Sequence, residues 1–221
     1  MGEVELIPER NLLLVRSVII LYGDAANTAL ANKVAHDIAT CWNAAQGKQR
    51  IGKILYDIQF EIDGVYDQPL TPLEVIENTN PRNNYFRVEK FVIGDISFVD
   101  EIGSNTGYFK LDNLLNQSST AAHEYGHSIG LAHPKHLDIR GKGIPGIMYP
   151  RGTLVDPEFQ YYSEVMAGQK GGTLNPATRK VLPEDFDDLH LDDLKFNELN
   201  KAILGEFTSV WHDAHLPGAN Q

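Results

Sequence analysis

The residues from His123 to His133 hold the densest chemistry in the chain: His123-Glu124-Tyr125-Gly126-His127-Ser128-Ile129-Gly130-Leu131-Ala132-His133. His123 and His127 are one helical turn apart, so on a helix both imidazoles leave the same face. Two nitrogens so placed can hold one Zn²⁺ at about 2.0–2.1 Å each. Glu124, beside the first histidine, reaches a water on such an ion more readily than the ion itself, which is the position of a general base. Gly130 can adopt a positive φ, end the helix and turn the chain. That turn returns His133 as a third ligand, and three histidines leave a fourth position open, as in catalytic sites.

The elements needed to hold this stretch can be read on either side of it. Leu12 to Tyr22 is a short, β-branched apolar run ending in Gly23-Asp24, the pattern of a buried strand and a turn. Ala25 to Ala45 has neither Pro nor Gly, and Leu30, Val34, Ile38 and Trp42 recur at helical spacing, predicting an amphipathic helix that Gly47 ends. From Ile51 to Val65, Tyr56, Ile58, Phe60 and Ile62 alternate with polar residues as in a strand, and Asp63-Gly64 reads as a turn. Pro69 to Asn84 reads as a loop, and Phe86 to Val99 as two strands around Gly94-Asp95. Gly103 to Gly107 is a turn signal, with Tyr108 to Leu111 as a short edge strand. Ser118-Ser119-Thr120 opens a helix running through about Ile129, with Ser or Thr as N-cap. Pro134 to Leu182 is punctuated by Gly and Pro, and Pro183-Glu184-Asp185 starts a final helix.

Composition limits the partners. The 221 residues carry 19 Lys and Arg against 30 Asp and Glu, a formal net charge of −11. An acidic surface repels phosphate backbones and anionic lipid, which argues against nucleic acid and membrane partners. Arg16 interrupts the apolar run at 12–22, which is too short for a membrane span, and Glu3, Glu5 and Glu9 replace the basic start of a signal peptide. Leu6 stands where an acylation signal needs Ser or Thr. Cys41 is the only cysteine, so an internal disulfide and a Cys-rich metal module are excluded; mid-helix beside Trp42 it reads as a buried small residue. With 42% hydrophobic residues the chain can bury one core, which fits a single domain of 1–221, either globular throughout or split by a cleft into two lobes.

The eleven-residue pattern HExxHxxGxxH resembles the zinc signature of the metzincin clan of metalloendopeptidases, carried by His123, Glu124, His127, Gly130 and His133. Gly146-Ile147-Met148-Tyr149-Pro150 looks like the matrixin form of that clan's Met turn. The resemblance implies that Met148 floors the three imidazoles without ligating. Astacins and serralysins have a ligating Tyr two residues after this Met; here Pro150 takes that place, so no Tyr ligand is expected. The strong motifs span 123 to 150. Outside them the likeness is one of order, including Pro183 to Leu189, which resembles the start of the matrixin C-terminal helix. The long stretch between the Met turn and that helix is a departure, as is the lack of a Cys-bearing segment to cap the zinc.

The resemblance implies an α+β, metzincin-like fold. A twisted mixed sheet with two helices would form an N-terminal part, about 1–133, and an irregular part with one main helix, about 134–221, would close a cleft between them. It implies one catalytic Zn²⁺, hydrolysis of internal peptide bonds of a protein or peptide substrate, a secreted or exported setting and a monomer. Tyr108, Phe109 and Tyr149 are candidate substrate contacts, the first two on a strand that would pair with the substrate backbone. A hydrophobic first pocket on the leaving-amine side is also a family expectation. Two other readings share the motif: a toxin or effector domain of a larger secreted protein, and a zinc-holding binding module without turnover. His136 falls outside the ligand spacing, and His212 and His215 read as surface residues of a mobile terminal tail. The acids Asp185, Asp187, Asp188, Asp192 and Asp193 lack the spacing of a calcium loop and read as a solvated face.

Overall fold

The computed structural model describes residues 1–115 and 118–216. Its architecture is α+β, a curled mixed sheet with four helices. The central strand is β2 (Leu12–Tyr22), preceded by β1 (Gly2–Ile7), which pairs antiparallel with its first half. Both faces of β2 are buried, with Leu13, Val15, Ile19 and Leu21 on one and Leu14, Ile20 and Tyr22 on the other, which explains its near-continuous apolar run. From β2 the chain crosses through α1 (Thr28–Ala44) and the hairpin β3 (Lys48–Ile51) and β4 (Ile54–Tyr66), and β4 lies parallel to β2. A short α2 (Pro72–Ile76) leads to β5 (Asn83–Glu89), also parallel to β2 on its other side. Two strands complete that side: β6 (Phe98–Val99) and β7 (Thr106–Lys110). The order is β3-β4-β2-β5-β7-β6, with β7 parallel to β5 and β6 antiparallel on the outside.

The apolar stripe of α1 faces the sheet as its spacing predicts: Leu30, Val34, Ile38 and Trp42 are all buried. Asn27 caps this helix by accepting from Leu30 N at 2.9 Å. Trp42 sits where sheet, helices and the second half of the chain meet, edge-on to Tyr125 and Phe186. Its indole N–H donates to Ala122 O at 3.2 Å on α3 (Thr120–Ser128), the helix that carries the histidines. All nine residues of α3 are buried, so its position is set from every side.

Several sequence expectations are corrected. Gly64 is not a turn: β4 runs through it, and a side chain there would collide with the carbonyl of Ala31, so the glycine lets α1 lie close on the sheet. The helix α1 ends before Gly47, at Gln46 in the left-handed region, and Gly47 instead makes room for the Phe186 ring. The 69–84 segment is not all loop, because Thr71 and Glu74 form a capping box that starts α2, and β5 begins at Asn83. In the second half, α4 (Pro183–Asp187) has five residues, where one main helix was expected. Phe186, Leu189 and Leu191 all reach the core, and no helical spacing buries both 189 and 191; the left-handed His190 between them breaks the helix. A last strand, β8 (Lys201–Leu204), pairs with β1.

The segment 205–216 is held against the sheet rather than projecting as a tail. Trp211 stacks on Tyr22 at 4.7 Å, His215 stacks on Tyr108 at 4.2 Å, and His212 Nε2 lies 2.8 Å from Asp100 Oδ1. Among the described residues, no helix is long and apolar enough to cross a membrane.

Candidate metal centre and cleft

The helix α3 begins after Ser119, but the Ser119 hydroxyl does not cap it. That hydroxyl donates to Pro176 O and accepts from Arg179 Nε at 2.9 Å, while Ser118 Oγ receives Thr120 N at 3.2 Å. The helix stops at Gly130, whose φ of +109 is accessible to glycine at little cost. Gly130 N and Leu131 N donate back to His127 O at 3.0 Å and Gly126 O at 2.9 Å. This reversal carries His133 towards the helix.

The three imidazoles converge. His133 Nε2 lies 3.1 Å from Nε2 of both His123 and His127. The other ring nitrogens set the tautomers: His123 Nδ1 donates to Ile147 O and His127 Nδ1 to Leu131 O, each at 2.7 Å. Both Nε2 atoms are then lone pairs, and His133 has one proton to offer at most one of them. Lone pairs crowded together in this way repel unless a cation lies among them. A tetrahedral ion with bonds of 2.0–2.1 Å needs neighbouring nitrogens about 3.3 Å apart, close to the spacing here. The three residues could therefore hold a metal ion. Burial lowers the pKa of all three, that of His127 to about 4, which favours the neutral form in which an imidazole can act as a ligand.

Arg179 Nη1 stands 2.9 Å from His123 Nδ1. Both atoms carry protons when Nδ1–H serves Ile147 O, so this contact is a crowded approach of two donors rather than a hydrogen bond. The guanidinium is instead anchored by Ser119 Oγ and by Tyr149 O at 2.9 Å. It is 6% exposed, and burial lowers its pKa to about 10, so it is charged at neutral pH.

Glu124 is 6% exposed and its carboxylate makes no hydrogen bond among the described residues. Burial pushes its pKa up to about 8, with Arg179 and Arg151 pulling the other way. Glu124 and the three histidines line one cleft of about 600 Å³. The same cleft is lined by residues 96–102, around β6, and by Asn113, Thr120, Arg151 and Arg179.

Met148 is buried, with its thioether against Gly126 of α3, one residue before His127. The three substrate-contact candidates are not brought to the cleft. Phe109 is fully buried, stacked on Phe86 at 4.4 Å. Tyr108 is fully buried beneath His215, and its hydroxyl accepts from His215 N at 3.0 Å. Both lie on β7, which is covered on one side by β5 and on the other by β6, so the edge strand is β6. Tyr149 packs with Ile139, Val155 and Leu174 in a small separate core, and its carbonyl accepts from Arg179. His136 is exposed, as its spacing suggested.

Arg151, Arg179 and the 96–102 rim were not singled out from sequence. No spacing rule links them to the histidines, because contacts across the fold bring them there. Lys180 N donates to Pro145 O at 3.0 Å, which lays the 176–180 segment beside the Met148 turn and delivers Arg179. No family model matches the chain, and a comparison with curated proteins finds no match.

Proposed function

We propose that this protein is a zinc-dependent endopeptidase of metzincin type. The observation that carries the reading is the convergence of three histidine Nε2 atoms, two of them fixed as lone pairs, beside a buried carboxylate that no described residue engages. Three nitrogen donors with an open cleft in front of them suit zinc at a catalytic site. The order of parts supports the clan: parallel strands with an antiparallel outer strand, a helix ending in glycine, a third histidine after the turn and a buried Met beneath.

Zinc bound there would supply Lewis acidity and bring the pKa of a water towards about 7. The chain's own residues have separate tasks. Ile147 O and Leu131 O hold His123 and His127 in the tautomers that present Nε2. Glu124, without another partner, takes a proton from the attacking water and passes it to the leaving amine. No side-chain nucleophile is required. The peptide lies along the exposed edge of β6, the side of the sheet that faces the cleft and can accept one more strand.

The test is a paired assay of wild type and Glu124→Ala. Metal content is measured by mass spectrometry and both proteins are offered a mixed peptide library. One zinc in each, with chelator-sensitive cleavage by wild type alone, supports the reading. Zinc in both with cleavage by neither turns it towards a binding module. Failure of either protein to take up zinc removes its basis.

A further inference from the structure

The cleft holds two cations that the proposed hydrolysis does not use. Arg179 lies against His123, and Arg151 lines the same cleft. Neither makes an ion pair among the described residues. Arg151 spends one N–H on the neutral Asn113 Oδ1 at 2.8 Å. Arg179 spends its Nε and Nη1 on a hydroxyl and a carbonyl. Arg179 bonds the carbonyl of Tyr149, two residues before Arg151 in the chain, so both guanidiniums belong to one region of the cleft. Asp95, the other acid that feels Arg151, is already bonded to Lys110. Glu124 is the one carboxylate shown to feel both arginines, and it is the base required for turnover.

Keeping two arginines near one another, one almost fully buried, is costly unless an anion visits them. Long apolar side chains would fill the same wall without that cost. Guanidinium is also the group that binds a carboxylate with two parallel hydrogen bonds, and both arginines have N–H groups to spare.

We propose that the wall formed by Arg151 and Arg179 is a subsite for an acidic side chain, so that the protein cleaves peptides with Asp or Glu flanking the scissile bond. The inference rests on the peptidase reading and replaces the apolar first pocket that the family resemblance implies. Proximity sets the position: Arg179 touches His123, so a side chain reaching it comes from a residue next to the bond held at the histidines. The protein as a whole is acidic, so attraction of such a substrate is local to this wall, and it weakens with salt because Arg151 is partly exposed.

The experiment uses the zinc-loaded full chain and matched peptide pairs that differ only as Asp/Asn or Glu/Gln on each side of a fixed bond. Cleavage and equilibrium binding are both read, the binding with Glu124→Ala so that peptide survives. Expected is a preference for the acid over its amide of about tenfold or more at one flanking position, the scale of a charge-assisted hydrogen bond. The ratio should fall towards one in Arg151→Gln and Arg179→Gln and be partly kept in Arg179→Lys, with folding of each variant checked by circular dichroism. Cleavage that ignores the acid overturns the subsite and leaves the peptidase reading in place. If nothing is cleaved, the binding ratio decides: equal affinity for acid and amide overturns the subsite, and a preference for the acid abolished by Arg151→Gln upholds it as an acidic-peptide site.

Discussion

The thioether of Met148 occupies the space that a side chain at position 126 would need, so Gly126 and Met148 form one joint between the histidine helix and the turn beneath it. The joint couples the helix that carries His123 and His127 to the turn packed against it. Ile147, next to Met148, fixes the His123 tautomer through its carbonyl, so a shift at the joint reaches the ligand within one residue.

Gly126→Ala is therefore expected to destabilise the protein by about 1–3 kcal/mol, the cost of overpacking a dense core. Metal affinity should weaken as well, because the added methyl pushes the Met148 turn from α3. Thermal unfolding with and without zinc checks both. An unchanged melting temperature would mean that Met148 moves freely and is not a floor. Gly126→Ala combined with Met148→Leu tests the pairing, since a shared cause predicts non-additive losses.

The metal ligands are testable by linkage. Zinc that binds only the folded chain raises stability by RT ln(1 + [Zn]/Kd), about 4 kcal/mol at a thousandfold excess over Kd. His127→Ala should abolish nearly all of that increment, and His133→Ala most of it. The solvent-exposed His136 should leave it unchanged when replaced by Ala. A full zinc increment in His133→Ala would show that the third ligand has been misassigned.

What was legible in the sequence followed from periodicity and spacing. The stripe of α1, the burial of β2, the histidine helix and the Gly130 turn all depend on neighbours in sequence, where the rules of helix and strand geometry act directly. Gly64 and Gly47 misled because a glycine needed for close approach looks the same as one needed for a turn. The edge strand was misplaced by one because β6 has only two residues, too few to show alternation, yet it covers β7. Arg179 was invisible because its role depends on Pro145, Tyr149 and Ser119, which come together only in the fold. The terminal histidines read as surface residues because nothing local shows that Tyr108 and Asp100 await them.

That terminal segment should contribute measurably to stability. Trp211 on Tyr22 and His215 on Tyr108 are stacked aromatic contacts, and such pairs contribute about 0.5–1.5 kcal/mol beyond their buried area. Trp211→Ala and His215→Ala should each lower the melting temperature, and their costs should nearly add because they cover different tyrosines. His212→Ala should also remove one of the two side chains that hold Asp100 at the cleft, leaving the Thr106 hydroxyl as the other. Variants as stable as wild type would show that the segment rests on the sheet without holding it.

Glu124 is expected to tax the stability of the metal-free protein at alkaline pH. Burial raises its pKa from 4.5 to about 8, so the folded chain binds this proton more tightly than the unfolded chain does. The stabilisation from the protonated form is complete below about pH 4.5 and is lost as pH rises through about 8. Gln mimics the protonated acid and does not titrate. With a chelator present, Glu124→Gln should match wild type near pH 4.5, exceed it increasingly up to about pH 8 and hold a constant advantage above that. The ceiling is about 5 kcal/mol if the whole shift were felt, and water entering the cleft reduces it. The histidines act with the opposite sign. Burial lowers the pKa of His123 and His127, so their contribution is lost as pH falls from 6.5, but it is present in both proteins and cancels in the difference. Zinc should shrink the difference, because a nearby dication stabilises the carboxylate of wild type. Denaturant melts at five pH values, with and without zinc, give the curve. A difference that does not change with pH would mean that Glu124 is ionised throughout and well solvated in the cleft.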